Sequence, residues 1–271
     1  MEDERAARDF VIVQPVGHRE QGQAVVETAL SLPLVVFLVL GTLQLFLLMQ
    51  ARLIAQYAAG RAVHAGVTSF GNCARMTDAA ILTLMPSFHN YLGSATPGAS
   101  PSEKLANAFA ARRGNKYAGT GTPRDGSPDT GYNGDIVWLF REQPIASQVI
   151  AFAGGQDLNF DEPGRPMRLE VRMVYWFPMR VPFADWVMTR AWLAQWGLLD
   201  YAAQSPYMVP RGAKWQKTSS FNPQAMIKDE MKRRADRREY VFPISQTYTM
   251  RMMTPAAAQY FQQQNCPPLP P

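Results

Sequence analysis

The 271-residue chain is 47% hydrophobic and 18% charged, which excludes intrinsic disorder, and its 2 cysteines are too few for a disulfide-dense miniprotein. Lys and Arg number 27 against 22 Asp and Glu, a formal charge of +5. The basic residues are dispersed and one stretch is strongly apolar, so this balance does not point to a nucleic-acid partner.

In chain order, a polar leader comes first, with Arg5, Arg8 and Arg19 set against Glu2, Asp3, Glu4, Asp9 and Glu20. Leu30 to Met49 then reads LSLPLVVFLVLGTLQLFLLM, uncharged and polar only at Ser31, Thr42 and Gln44. At about 1.5 Å per residue, a helix over this run covers roughly 30 Å, the thickness of a bilayer's hydrocarbon core. The run reads as a membrane-spanning helix. It is longer than the roughly 7 to 15 apolar residues of a cleavable secretory signal. Pro33 and Gly41 are tolerated in such helices. Beyond Met49, Ala51, Ile54, Ala55, Ala58, Ala59, Ala62 and Gly66 recur at three- and four-residue spacing. This predicts one continuous helix to about residue 66, with a narrow Ala-rich stripe suited to close packing on a sheet or another helix. Arg52 and Arg61 lie past the far end of the run, so charge alone leaves the orientation open.

The residues that straddle the leader and the run, HREQGQAVVETALSLPL, place Gly22 after charged residues and Glu27 five positions later. This pattern resembles the type IV prepilin signal, and its wording is similar to the TadE-like family of tight-adherence (Flp) pilus assembly proteins. The resemblance implies cleavage after Gly22, a new N-terminus at Gln23, and Glu27 as the fifth mature residue. It further implies a cytoplasmic leader at 1–22, a long helix at 23–66 crossing the bacterial inner membrane, and a periplasmic remainder at 67–271. The implied partners are membrane lipid, a prepilin peptidase and other pilus or secretion subunits. In physical terms, a carboxylate driven to the bilayer centre costs on the order of 2.5 to 3.5 kcal/mol, so Glu27 needs a partner or an interface. Cleavage would supply an α-ammonium of pKa about 8 to neutralise it, in the same chain or a neighbour. The alternative is headgroup depth, where Glu27 favours the helix N-terminus by about 0.3 to 1 kcal/mol.

Past the long helix, Thr77-Asp78 followed by AAILTLM predicts a short helix stopped by Pro86, and SEKLANAFAARR (102–113) predicts another with Ser102 as its N-cap. The Gly-rich stretch 114–134 reads as loop. DIVWLFR (135–141) has strand composition, and MRLEVRMVYWF (167–177) alternates, with Leu169, Val171, Met173, Tyr175 and Phe177 on one face. YVFPISQTYTMRM (240–252) is a third candidate strand, with Pro243 favouring an edge or a bulge. Between these strands, 184–239 reads as an insertion. It contains DWVMTRAWLAQWGLL, whose Trp186, Trp192 and Trp196 suit either a packed amphipathic helix or a membrane interface, and KDEMKRRADRRE, which reads as a solvated helix of mixed charge. The fold class is therefore α+β, a long N-terminal transmembrane helix followed by a domain with a small antiparallel sheet and accessory helices, which the resemblance implies to be pilin-like.

No enzyme signature emerges. His18, His64 and His89 lack metal-ligand spacing, and nothing orients either of the last two on Cys73 as a nucleophile's base. The acidic loop at 125–135 fails the calcium-loop pattern, with Thr130 in place of the required Gly and Ile136 in place of the terminal Glu. No cofactor is implied. In a periplasmic location Cys73 and Cys266 are candidates for a disulfide, the alternative being two separate thiols. Two functions fit: a structural pseudopilin-like component of a pilus or secretion fibre, or a single-pass anchor for an unrelated periplasmic binding or enzyme domain.

Overall fold

The computed structural model describes residues 20–88, 98–113, 135–152, 168–195 and 223–267. The first element, α1, is one unbroken helix over Glu20–Val67. Its length follows from a run with no helix-breaking polar pair, and Pro33 sits inside it without ending it. Termination combines a distant partner with local turns, and the Val67 carbonyl accepts from the N–H groups of Met253 and Thr254 at 3.1 and 3.0 Å. Thr68 and Ser69 turn their hydroxyls back to the carbonyls of His64 and Ala65, at 3.0 and 2.5 Å. Gly71 then takes a φ of +81°, and its N–H closes on the Gly66 carbonyl at 2.9 Å.

The chain reverses there into α2, Cys73–Phe88, capped by Asn72, whose Oδ1 accepts from the N–H of Ala74 at 2.9 Å. Pro86 does not stop this helix, contrary to the sequence reading. Its ring forfeits one backbone bond, but its φ is already helical, and Ser87 holds the last turn by donating to the Leu84 carbonyl at 2.6 Å. Next, α3 spans Pro101–Arg113. Its cap is Ser100 rather than Ser102: the Ser100 Oγ accepts from the Glu103 N–H at 3.2 Å, Pro101 fills the first helical position, and Glu103 reaches back to the Ala99 N–H at 2.8 Å. The loop reading for 114–134 lies outside the described residues.

Strands β1 (Val137–Gln143), β2 (Arg168–Pro178), β3 (Val241–Arg251) and β4 (Asn265–Cys266) form one sheet in the order β3-β2-β1-β4, with every neighbour antiparallel. Pro243 lies on the edge strand, as its missing N–H requires. One face of the sheet presents Leu169, Val171, Met173, Tyr175 and Phe177 with Val137 and Leu139, packed with α1 and α2. The other face presents Trp138, Phe140, Val174 and Trp176. It is covered by Leu193 of α5 (Ala184–Gln195) and Met231 of α6 (Pro223–Asp236). A short helix, α4 (Ala146–Phe152), follows β1. The molecule is thus α+β in three layers, helix, sheet, helix. The two helices α5 and α6 fall in the stretch that reads as an insertion, yet they supply the cover of the second face. Nor is the charged helix simply solvated: Arg234 is buried with its guanidinium 4.8 Å from the Trp176 ring, and Glu239 is buried at its end.

The Ala-rich stripe of α1 is buried in the core that α1 shares with the sheet and with α2. Ala51, Ala55, Ala58, Ala59 and Ala62 are all buried. Close approach peaks at Gly66, where a methyl group would come within 2.5 Å of the Met76 Sδ and 2.6 Å of the Leu169 Cδ2.

Candidate functional site

The exposed apolar surface of the molecule is concentrated on α1. Residues 25–39 are exposed all round, including Val25, Leu30, Leu34 and Leu38. The helix that carries it, over Val25–Val67, is long and apolar enough to cross a membrane. Glu27 lies exposed on it, and among the described residues no group pairs with its carboxylate. Gly22 and Gln23 belong to the first turns of α1, which starts at Glu20, so the Gly22–Gln23 peptide bond is helical rather than part of an extended leader. The leader before Glu20 lies outside the described residues.

From Leu40 onward the domain begins to cover the helix, and the cover is specific. Gln44, polar within the apolar run, is 0% exposed, and its Oε1 accepts from the backbone N–H of Val181 at 3.0 Å. Further toward the N-terminus, the Phe37 ring meets Phe183 edge-on at 5.8 Å between centroids. The apolar run and the folded domain therefore overlap instead of meeting end to end. Gln44 was visible in the sequence as a lone amide in an uncharged run, and such a group demands a hydrogen-bond partner. Nothing local named Val181 as that partner.

At the opposite end of α1 the structure joins Cys73, the first residue of α2, to Cys266 of β4 in a disulfide with Cα atoms 5.2 Å apart. Beside it sits Arg141, a buried residue of β1 that the sequence reading passed over. Its Nε donates to the Gln264 carbonyl at 3.0 Å, Nη1 donates to the carbonyls of Gly71 (3.0 Å) and Tyr260 (2.8 Å), and Nη2 donates to that of Gln263. The guanidinium also lies 4.0 Å from the centroid of Phe261. Burial lowers its pKa to about 10, which leaves it charged at neutral pH. One cation thus gathers the turn after α1, the C-terminal segment and the sheet.

The tryptophans separate. Trp192 packs against Phe242 at 4.8 Å and belongs to the core side of α5, Trp186 is exposed, and Trp196 lies outside the described residues. Chemically, the arrangement offers an exposed apolar helix segment bearing Glu27, continuous with a domain pinned by a disulfide. No curated protein and no solved structure matches the chain, whereas residues 22–64, the start of α1 through its Ala-rich half, match the family model described as TadE-like protein.

Proposed function

We propose that this chain is a structural, pseudopilin-like component in the assembly of a tight-adherence pilus or related secretion fibre, working by subunit packing and not by catalysis. The reading is carried by one coincidence: the family match at residues 22–64 falls on the exposed helix that bears Gly22, Gln23 and Glu27. In this reading, α1 crosses the bacterial inner membrane with its N-terminus in the cytoplasm and the domain in the periplasm. A prepilin peptidase cleaves after Gly22, and the new ammonium at Gln23 and the Glu27 carboxylate set charge and register against neighbouring subunits. Glu27 suits that role because an exposed carboxylate on an apolar helix is costly in lipid until a second chain neutralises it. The disulfide between Cys73 and Cys266 suits the oxidising periplasm.

Mass spectrometry of the N-terminal peptide from isolated membranes, with and without the host's prepilin peptidase, tests the processing step. A peptidase-dependent start at Gln23 is expected; an unprocessed leader in both strains would overturn it. Glu27→Leu tests the assembly role. The variant should remain membrane-bound and folded while fibre assembly is lost, and normal assembly by this variant would remove Glu27 from the mechanism.

A further inference from the structure

The overlap between the apolar run and the domain has a consequence for the turn from β2 into α5. The uncharged run extends to Met49, yet Phe183 touches the helix at Phe37, 12 residues or about 18 Å short of that end. A domain resting on top of the membrane would leave Phe37 to lipid alone. The corner that reaches down, Val181 to Trp186, is built as an apolar surface. Phe183 is 54% and Trp186 46% exposed, and Pro182 is exposed beside them. Its one acid, Asp185, is turned inward at 1% exposure, so no charge shows on the corner itself. Exposed arginines, Arg180 and Arg190, flank it on either side. Phe183 is also held at a φ of +69°, a backbone region that bulky residues seldom occupy and that surrounding structure must enforce.

We propose that this corner is a second membrane contact of the chain, seated in the leaflet on the domain side. Phe183 passes below the interfacial layer to meet Phe37 in the hydrocarbon, Trp186 lies nearer the interface, and Arg180 and Arg190 extend their long side chains toward the lipid phosphates. The bilayer is the occupant because the corner is continuous with the helix that crosses it, through the Phe37–Phe183 contact. The inference rests on the reading of α1 as membrane-spanning. Its effect is to fix the rotation of the domain about α1, with the corner and the helix as two points of attachment.

The test uses the full chain in phospholipid vesicles, with a single added cysteine carrying an environment-sensitive fluorophore and a doxyl-labelled phospholipid as quencher. Labels at Leu34→Cys, Phe183→Cys, Trp186→Cys and Gln148→Cys report the span, the corner and an exposed site on α4. Cys73 and Cys266 are paired and do not take label. Quenching at 34, 183 and 186 but not at 148 is expected. Quenching at 34 without quenching at 183 and 186 overturns the corner contact and leaves the span standing, and a blue-shifted but unquenched corner would mean that protein, not lipid, covers it. No quenching at 34 overturns the span and the corner together. Quenching at all four sites would mean that the domain lies on the bilayer without preference for the corner, which also overturns the inference. If the Phe183→Cys chain does not fold, the exposed Trp186 position carries the same measurement.

Discussion

Arg141 shows at the scale of a single residue how a charge is kept inside a small domain. Its side chain donates to four backbone carbonyls, so the cost of removing it from water is offset by bonds that no neutral side chain can replace. Arg141→Met should lower stability by about 3 kcal/mol, read from denaturant unfolding of the oxidised chain in detergent, because it strands buried carbonyls. Asp135, just before β1, has the opposite character. Burial pushes its carboxyl up to about 6, with Arg234 pulling the value down and Glu230 adding to the rise. A carboxyl raised in the folded state favours folding when protonated. Its contribution is complete below about pH 4 and is lost as the pH rises through about 6. Asp135→Asn should therefore flatten the stability profile between pH 4 and 6 and raise stability at pH 7. The group is partly solvated, so the gain should be about 1 kcal/mol. Neither residue was legible in the sequence. DIVWLFR reads as a strand, but whether its arginine points to solvent or to carbonyls is decided by segments far along the chain.

At the scale of elements, the strands with one regular face were readable and those covered twice were less so. β2 alternates, and its residues Leu169 to Phe177 on the predicted face are all buried. β1 is apolar without alternation from Val137 to Phe140 because helices cover both of its faces. α6 misleads for a related reason: one face of a highly charged helix is buried through Met231 and Arg234, and a long side chain can pack its stem and ring-facing plane while keeping its charge partnered. The Ala stripe of α1 was the clearest element-scale signal, since only small residues allow a helix to approach a sheet this closely. Ala55→Leu should overpack that contact and cost about 3 kcal/mol in chemical denaturation, whereas Leu53→Ala on the exposed side should change stability by well under 1 kcal/mol. Helix ends were the least legible, as Ser100 against Ser102 shows: both hydroxyls stand near the start of α3, and they are only 3.0 Å from each other.

For the whole molecule, the attachments of α1 matter most. At one end Gln44 and Phe37 hold the β2–α5 corner, and at the other the Cys73–Cys266 disulfide and Arg141 hold the C-terminal segment. The disulfide bridges 193 positions of sequence. In the chain-entropy account such a link contributes about 5 kcal/mol by limiting the unfolded chain. Reduction and alkylation should therefore lower the unfolding midpoint, with hydrogen exchange rising first at β4 and along the β1 edge that it covers. Unchanged exchange at β4 after reduction would show that the Arg141 bonds alone suffice to hold it.

The sequence by itself determined the long helix, the apolar segment that fits a bilayer, the small-residue stripe and three of the strands. These are local properties, written in the 3.6- and 2-residue periods that helices and strands impose. Only the tertiary structure decided which surface the Ala stripe meets, that α5 and α6 close the second face of the sheet, and that the Gln44 Oε1 is answered by Val181. The Gln44–Val181 pair alone joins residues 137 positions apart, and no periodicity carries information over that distance. They are settled by which arrangement buries the apolar faces on both sides of the sheet while leaving few polar groups without partners.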